Sequence, residues 1–188
     1  DIERSSVAIY AWGSWLDAGI ADAVIRRFLT FNNPQRAVIG PWNHGGLYHA
    51  SPYLPAETPT DPSLLSQWQE CIRFCDHYLK ESDDSAMRQK VLIYYTLGEE
   101  KWKSTNVWPP LGTTTQRWYL AANNSLSQHR PQTDSGADTY TVDFEATTGK
   151  TNRWHTQLGF IVVYQNRAQE DRRLLTYTSP PLEKDTEI

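Results

Sequence analysis

Two side chains in the first quarter of this chain have the types and the setting for acid–base chemistry. Asp17 stands in "WGSWLDAG" and His44 in "RAVIGPWNHGG", 27 residues later. Each follows a short apolar run, "VAIYAW" (Val7 to Trp12) for the first and "RAVIG" (Arg36 to Gly40) for the second. In open parallel sheets, catalytic groups gather at the carboxyl ends of strands, where loops converge. A carboxylate and an imidazole on adjacent strand ends suit the acid–base half of a nucleophilic triad. The acid fixes the imidazole tautomer through the δ nitrogen and stabilises the imidazolium. Trp15 and Trp42 flank the pair as candidate substrate-binding side chains, and Pro41 with the glycines can set the path of the second loop. Plainer roles fit the same residues. Asp17 could cap the helix that begins near Ile20, His44 could be an ordinary loop histidine, and the tryptophans could fill the sheet edge. Asp22 is a second acid, but it falls inside the helix pattern.

The elements that must hold this pair are legible by periodicity. "VAIYAW" reads as a strand buried on both faces. "IADAVIRRFLTF" places Ile20, Val24, Phe28 and Phe31 on one helical stripe, and "RAVIG" is a second strand. Strand, helix, strand is a βαβ unit, which predicts a parallel sheet with strands near 7–12 and 36–40. After a Pro-rich loop, "DPSLLSQWQECIRFCDHYLKES" predicts a packed amphipathic helix. Asp61 is placed to cap it, Pro62 suits its first turn, and Leu64, Leu65, Trp68, Cys71, Ile72, Cys75, Tyr78 and Leu79 keep helical spacing. Beyond residue 88 the grammar changes to short β-type runs: "VLIYYTLG", "RWYLAA", "TYTVDF", "FIVVYQ" and "RLLTYTS". That pattern predicts an antiparallel sandwich or jelly roll over 89–188, after an α/β part over 1–88.

Composition narrows the classes. With 39% hydrophobic and 21% charged residues among 188, the chain has ordinary globular usage. A net charge of -4 argues against nucleic acid as a partner, and no apolar run is long enough to span a membrane. Cys71 and Cys75, four apart on one helix face, are expected as free thiols, which leans towards a reducing, cytoplasmic compartment. No metal or cofactor is expected. His49 (loop), His77 (helix), His129 (polar turn) and His155 (a sandwich position beside Trp154) are read as structural, and the Trp and Tyr richness of the second half as packing.

The residues then take on a specific resemblance. "WGSWLDAG" followed by "RAVIGPWNHGG" resembles the acid and base segments of the CocE/NonD serine hydrolases, the group of cocaine esterases, α-amino-acid ester hydrolases, glutaryl acylases and X-Pro dipeptidyl-peptidases. The similarity continues through "RFCDHYLKESDD", "YYTLGEEKWKSTNVWPP", "RWYLAANNSLS", "NRWHTQLG" and "RRLLTYTSPPLEKDTEI". It implies the last strands of an α/β-hydrolase sheet followed by part of a jelly-roll sandwich. It also implies that Asp17 is the catalytic acid and His44 the base for cleaving an ester, an amide or an X-Pro peptide.

The family's nucleophile sits on a G-x-S-x-G elbow upstream of the acid. None of the thirteen serines here lies in that frame, and Ser14, the nearest to the pair, is downstream of its strand. The expectation is therefore a segment of a hydrolase, inactive alone. An upstream segment or another chain would supply the serine and oxyanion hole, with a homo-oligomer as a further possibility. A competing reading from another class is a non-catalytic binding or assembly module in which Asp17 and His44 are structural. An Asp17 oxygen within about 2.6–3.2 Å of the His44 δ nitrogen favours the catalytic reading.

Overall fold

Two short strands with buried inner faces set the architecture of the first part. The computed structural model describes residues 1–132, 135–147 and 153–188. They form two compact units, one of residues 1–111 with 151–164, the other of 112–150 with 165–188.

In the first unit a one-turn helix α1 (Ile2–Ser5) precedes β1 (Ile9–Ser14), α2 (Ile20–Thr30) and β2 (Gln35–Gly40). β1 and β2 pair in parallel from Ile9–Gln35 to Ser14–Gly40, as the βαβ reading requires. On one face, Ala11, Ala37 and Ile39 meet Ala21, Val24 and Phe28 of α2. Gln35 is buried and closes the end of that helix, its side-chain amide donating to the carbonyls of Phe28 (3.2 Å) and Phe31 (2.7 Å). Helix ends leave such carbonyls without intrahelical donors, so the amide answers a real deficit.

The sheet does not stop where the sequence grammar changes. β3 (Val91–Thr96) pairs in parallel with β2, and β4 (Lys101–Thr105) returns antiparallel to β3, giving the order β1-β2-β3-β4. Leu92 and Tyr94 join the α2 face of the core. "VLIYYTLG" is thus part of this mixed sheet, because its continuous apolar run finds a covered neighbour in β2.

α3 (Leu64–Lys80) lies against the opposite face, with two departures from expectation. Ser63, not Asp61, caps it: the Ser63 hydroxyl accepts from the Ser66 amide at 3.2 Å. Asp61 instead accepts from the Trp102 indole, and Pro62 precedes the cap. The helix also turns a different face inward. Phe74 is its buried residue, stacked on Tyr10 with ring centroids 4.8 Å apart, and Glu70 pairs with Arg36 at 2.6 Å. Of the predicted stripe, Leu64, Leu65, Trp68, Ile72, Cys75 and Leu79 are exposed, 79% so at Leu79, while Cys71 and Tyr78 are half-buried. An aromatic stack and an ion pair to the strands fix the rotation, not the count of apolar side chains.

The second unit is sparser. β5 (Tyr119–Ala121) and β6 (Ser125–Ser127) form an antiparallel hairpin, and Ser125 bridges to Thr178. Arg173 grips Asp143 through two hydrogen bonds of 2.6 and 3.0 Å. Of the runs read as sandwich strands, "RWYLAA" supplies β5, whereas "TYTVDF" and "RLLTYTS" are not strands. A strand needs a ladder partner for its backbone groups, and alternation alone does not provide one. Val142 and Phe144 accordingly stay exposed.

"NRWHTQLG" and "FIVVYQ" depart further. Asn152 lies outside the described residues, and Arg153–Gln157 form a short helix, α4, with His155 edge-on to Phe160 rather than in a sandwich. Residues 160–164 have no regular secondary structure and belong to the first unit, where Val162 is buried and the Tyr164 hydroxyl donates to the Ala50 carbonyl at 2.8 Å. A one-turn helix α5 (Ala168–Asp171) follows in the second unit.

Candidate active site

The parallel pairing of β1 and β2 brings two loops together at one end of the sheet. Trp15 donates its amide to the Gly40 carbonyl (3.2 Å), tying the two strand ends directly. The Ser14 hydroxyl donates to the Trp42 carbonyl and accepts from the Leu16 amide at 3.1 Å. Ser14 is 3% exposed, so its hydroxyl joins the loops of Asp17 and His44 and is not presented as a nucleophile.

Those ties set Asp17 opposite His44. The Asp17 Oδ2 lies 2.8 Å from the His44 Nδ1. Asp17 is buried, while the His44 side chain is 58% exposed. Helix α2 starts from Gly19 with no side-chain cap, and only the backbone carbonyl of Asp17 serves it, accepting from Ile20 at 3.0 Å. The carboxylate is therefore free for the imidazole. An ionised carboxylate only accepts, so the proton of the shared bond belongs to Nδ1 and the lone pair to Nε2. That is the tautomer a general base requires. The second oxygen, Oδ1, is buried without a partner among the described residues.

The pair opens on a cleft of about 450 Å³ whose walls include Trp12, Trp42, Ile20, Leu64 and Trp68. Trp42 stacks on Trp12 with centroids 5.1 Å apart. A side chain at position 40 would meet its ring at 2.4 Å, so only glycine leaves room for Trp42 there. Trp15 goes elsewhere: its indole donates to the Tyr95 carbonyl at 2.7 Å and its ring packs on Trp108, away from the cleft walls.

Several contributors to the site carry no local sequence signal. Gln67 of α3 donates to the Pro62 carbonyl at 2.9 Å and to the Gly46 carbonyl at 3.5 Å, joining the helix to the His44 loop. His49, read as a loop histidine, is buried edge-on to Tyr95, and burial holds its imidazole below the ordinary range. Glu100 accepts from Ser51 (2.9 Å), Tyr95 (3.1 Å) and the Gly98 amide (2.7 Å), bracing the far end of the same loop. Burial first, and then Glu100, pushes the Tyr95 hydroxyl up to about 12. Asn43 fills the loop itself and contacts Phe160, 117 residues away. Cys71 and Cys75 are free thiols, with burial raising Cys71. Among the described residues, no group of three His, Cys, Asp or Glu could hold a metal ion, and no helix is long and apolar enough to cross a membrane.

Comparison with known proteins bears on this arrangement. Residues 85–188 match the family described as the X-Pro dipeptidyl-peptidase C-terminal non-catalytic domain. Two curated proteins, each named "Putative serine esterase", are 40% identical to the chain over 191 residues. One is from Mycobacterium bovis (strain ATCC BAA-935 / AF2122/97) and the other from Mycobacterium tuberculosis (strain CDC 1551 / Oshkosh). The alignment takes in 100% of this chain and 30% of each relative, so the chain spans under a third of their length. Asp17 and His44 both precede the span that matches the non-catalytic domain.

Proposed function

From the family to which this chain belongs, that of the X-Pro dipeptidyl-peptidase C-terminal domain, and from the Asp17–His44 geometry, we propose that it supplies the acid and base of a serine hydrolase. The parent protein cleaves ester or amide bonds, including those of short peptides, through an acyl-enzyme. Its serine comes from sequence outside these residues. The observation that carries this reading is the 2.8 Å bond between a buried carboxylate and the δ nitrogen of an exposed imidazole at neighbouring strand ends.

In this reading the first part of the chain completes an α/β-hydrolase sheet and the second contributes to a jelly-roll sandwich. His44 Nε2 takes the serine proton during attack and returns it to the leaving group. Asp17 holds the ring and stabilises the imidazolium, and its burial strengthens that interaction. The name of the mycobacterial relatives supports a serine esterase. The competing reading, a non-catalytic module in which Asp17 and His44 are structural, draws support from the description of the family span, residues 85–188, which contains neither of them.

An organophosphorus serine probe separates the two. In the full-length protein it should label one serine outside this chain, and His44→Ala should slow labelling by at least a hundredfold. The chain alone should neither be labelled nor hydrolyse activated aryl esters. Labelling of Ser14, or hydrolysis by the isolated chain that vanishes in Ser14→Ala, would overturn the proposal.

A further inference from the structure

His44 is exposed, and among the described residues its side chain has one anchoring partner, Asp17, so the accuracy of the base depends on its backbone. That backbone is shaped by the preceding residue. Asn43 is 1% exposed, and its Oδ1 accepts from the amides of Leu47 (3.0 Å) and Tyr48 (2.9 Å). Its own amide donates to the Tyr48 carbonyl (3.1 Å), and its carbonyl accepts from Gly46 (3.1 Å). The side-chain amide reaches the Phe160 carbonyl at 3.5 Å. Residues 44–48 are therefore wound around one carboxamide. The Trp42–His49 bridge closes the mouth of the loop, and Gly45 and Gly46 turn it with φ of 80° and 70°.

We propose that Asn43 is a positioning residue for the His44 base, acting through the loop and not through contact with substrate. The inference rests on the catalytic reading of Asp17 and His44. A fixed loop keeps the Nδ1 within reach of the Asp17 carboxylate, which is buried on a backbone held at Ile20. Misplacement of a catalytic group by about 1 Å costs on the order of 10²-fold in rate. Removing the carboxamide leaves two part-buried amides without their acceptor and lets 44–48 relax.

The test uses the full-length protein with Asn43→Ala and Asn43→Asp, the latter keeping both acceptor bonds. Asn43→Ala should lower kcat by about 10²-fold with KM changed less than threefold, since the apolar walls of the cleft at Trp12, Ile20, Leu64 and Trp68 stay in place. Asn43→Asp should recover to within about tenfold of the natural rate. The downfield proton resonance of the His44 Nδ1–H should broaden in Asn43→Ala and return in Asn43→Asp. If Asn43→Ala does not fold, Asn43→Ser, whose hydroxyl is too short to reach both amides, should show the same loss of kcat and of the resonance. A folded Asn43→Ala or Asn43→Ser with the natural kcat and an intact resonance overturns the proposal. So does a loss that appears in KM alone. Should His44→Ala itself retain activity, the catalytic reading fails first, and the two failures are told apart by that variant.

Discussion

In the first unit β2 and β3 each have a strand on both sides, and helices lie against both faces of the sheet. In the second, the described strands are three residues long and pair once. The second unit is poorer in valine, tyrosine and phenylalanine, with 5 in 63 residues against 18 in 125. The two also differ in where such side chains find cover. Phe28 is 2% exposed under the sheet, while Phe144 is 91% exposed in a segment with no ladder. β-propensity expresses fit to a half-buried pleated surface, and it builds a strand only where that surface exists. The candidate site sits in the unit that has it, which is what holding two side chains to hydrogen-bond accuracy demands.

The contrast can be broken most forcefully by truncating one side chain in each unit. Phe28→Ala should destabilise the first unit by about 3–5 kcal/mol, through lost burial and the cavity left behind. Leu120→Ala, at a position 62% exposed in β5, should stay within about 0.5 kcal/mol. Chemical denaturation of the two variants checks this. Equal effects would mean that the second unit holds a core as developed as the first.

A smaller effect separates the units by pH. Burial lowers the His49 pKa, so the folded state favours neutral imidazole. The stability this confers is whole above the unfolded value of about 6.5 and is lost as pH falls towards the lower folded value. In the second unit, the hydrogen bond from Arg173 lowers the Asp143 pKa. Its contribution is present above the unfolded carboxylate value of about 3.9 and declines only as pH falls below that. Hydrogen exchange, corrected for intrinsic rates, should therefore show residues 41–51 loosening between pH 7 and 5, while the segment around Asp143 holds until below 4. Replacing His49 with Gln should flatten the first response alone. Simultaneous loosening of both segments would refute the assignment.

Local pattern carried the βαβ unit, because the 3.6-residue stripe of α2 and the apolar runs of β1 and β2 are each satisfied by the nearest neighbour. It also carried Asp17 and His44, whose place at strand ends follows once the strands are parallel. Local pattern fell short where long-range partners decide. The α3 stripe pointed to burial, yet Tyr10 and Arg36 set the helix's rotation. Asp61 and Ser63 are equally good caps by type, and only the geometry of the turn chooses Ser63. Residues 160–164 are a run of β-formers that reads as a strand but lie beside the Asn43 loop, a contact no window of twenty residues contains. Asn43 itself sat in plain sight between Trp42 and His44. Its role was hidden because a carboxamide that closes a loop leaves no periodic trace.

The central claim is that His44, held by Asp17, is the base of a serine hydrolase. Its most direct test is the turnover of an activated ester or amide by the full-length protein with His44 replaced by Ala, its fold verified by an unchanged unfolding midpoint. Loss of the base removes serine activation and leaves binding and the oxyanion hole, so kcat should fall on the order of 10⁴-fold or more with KM little changed. A folded His44→Ala protein that kept more than about a tenth of the natural rate would contradict the account.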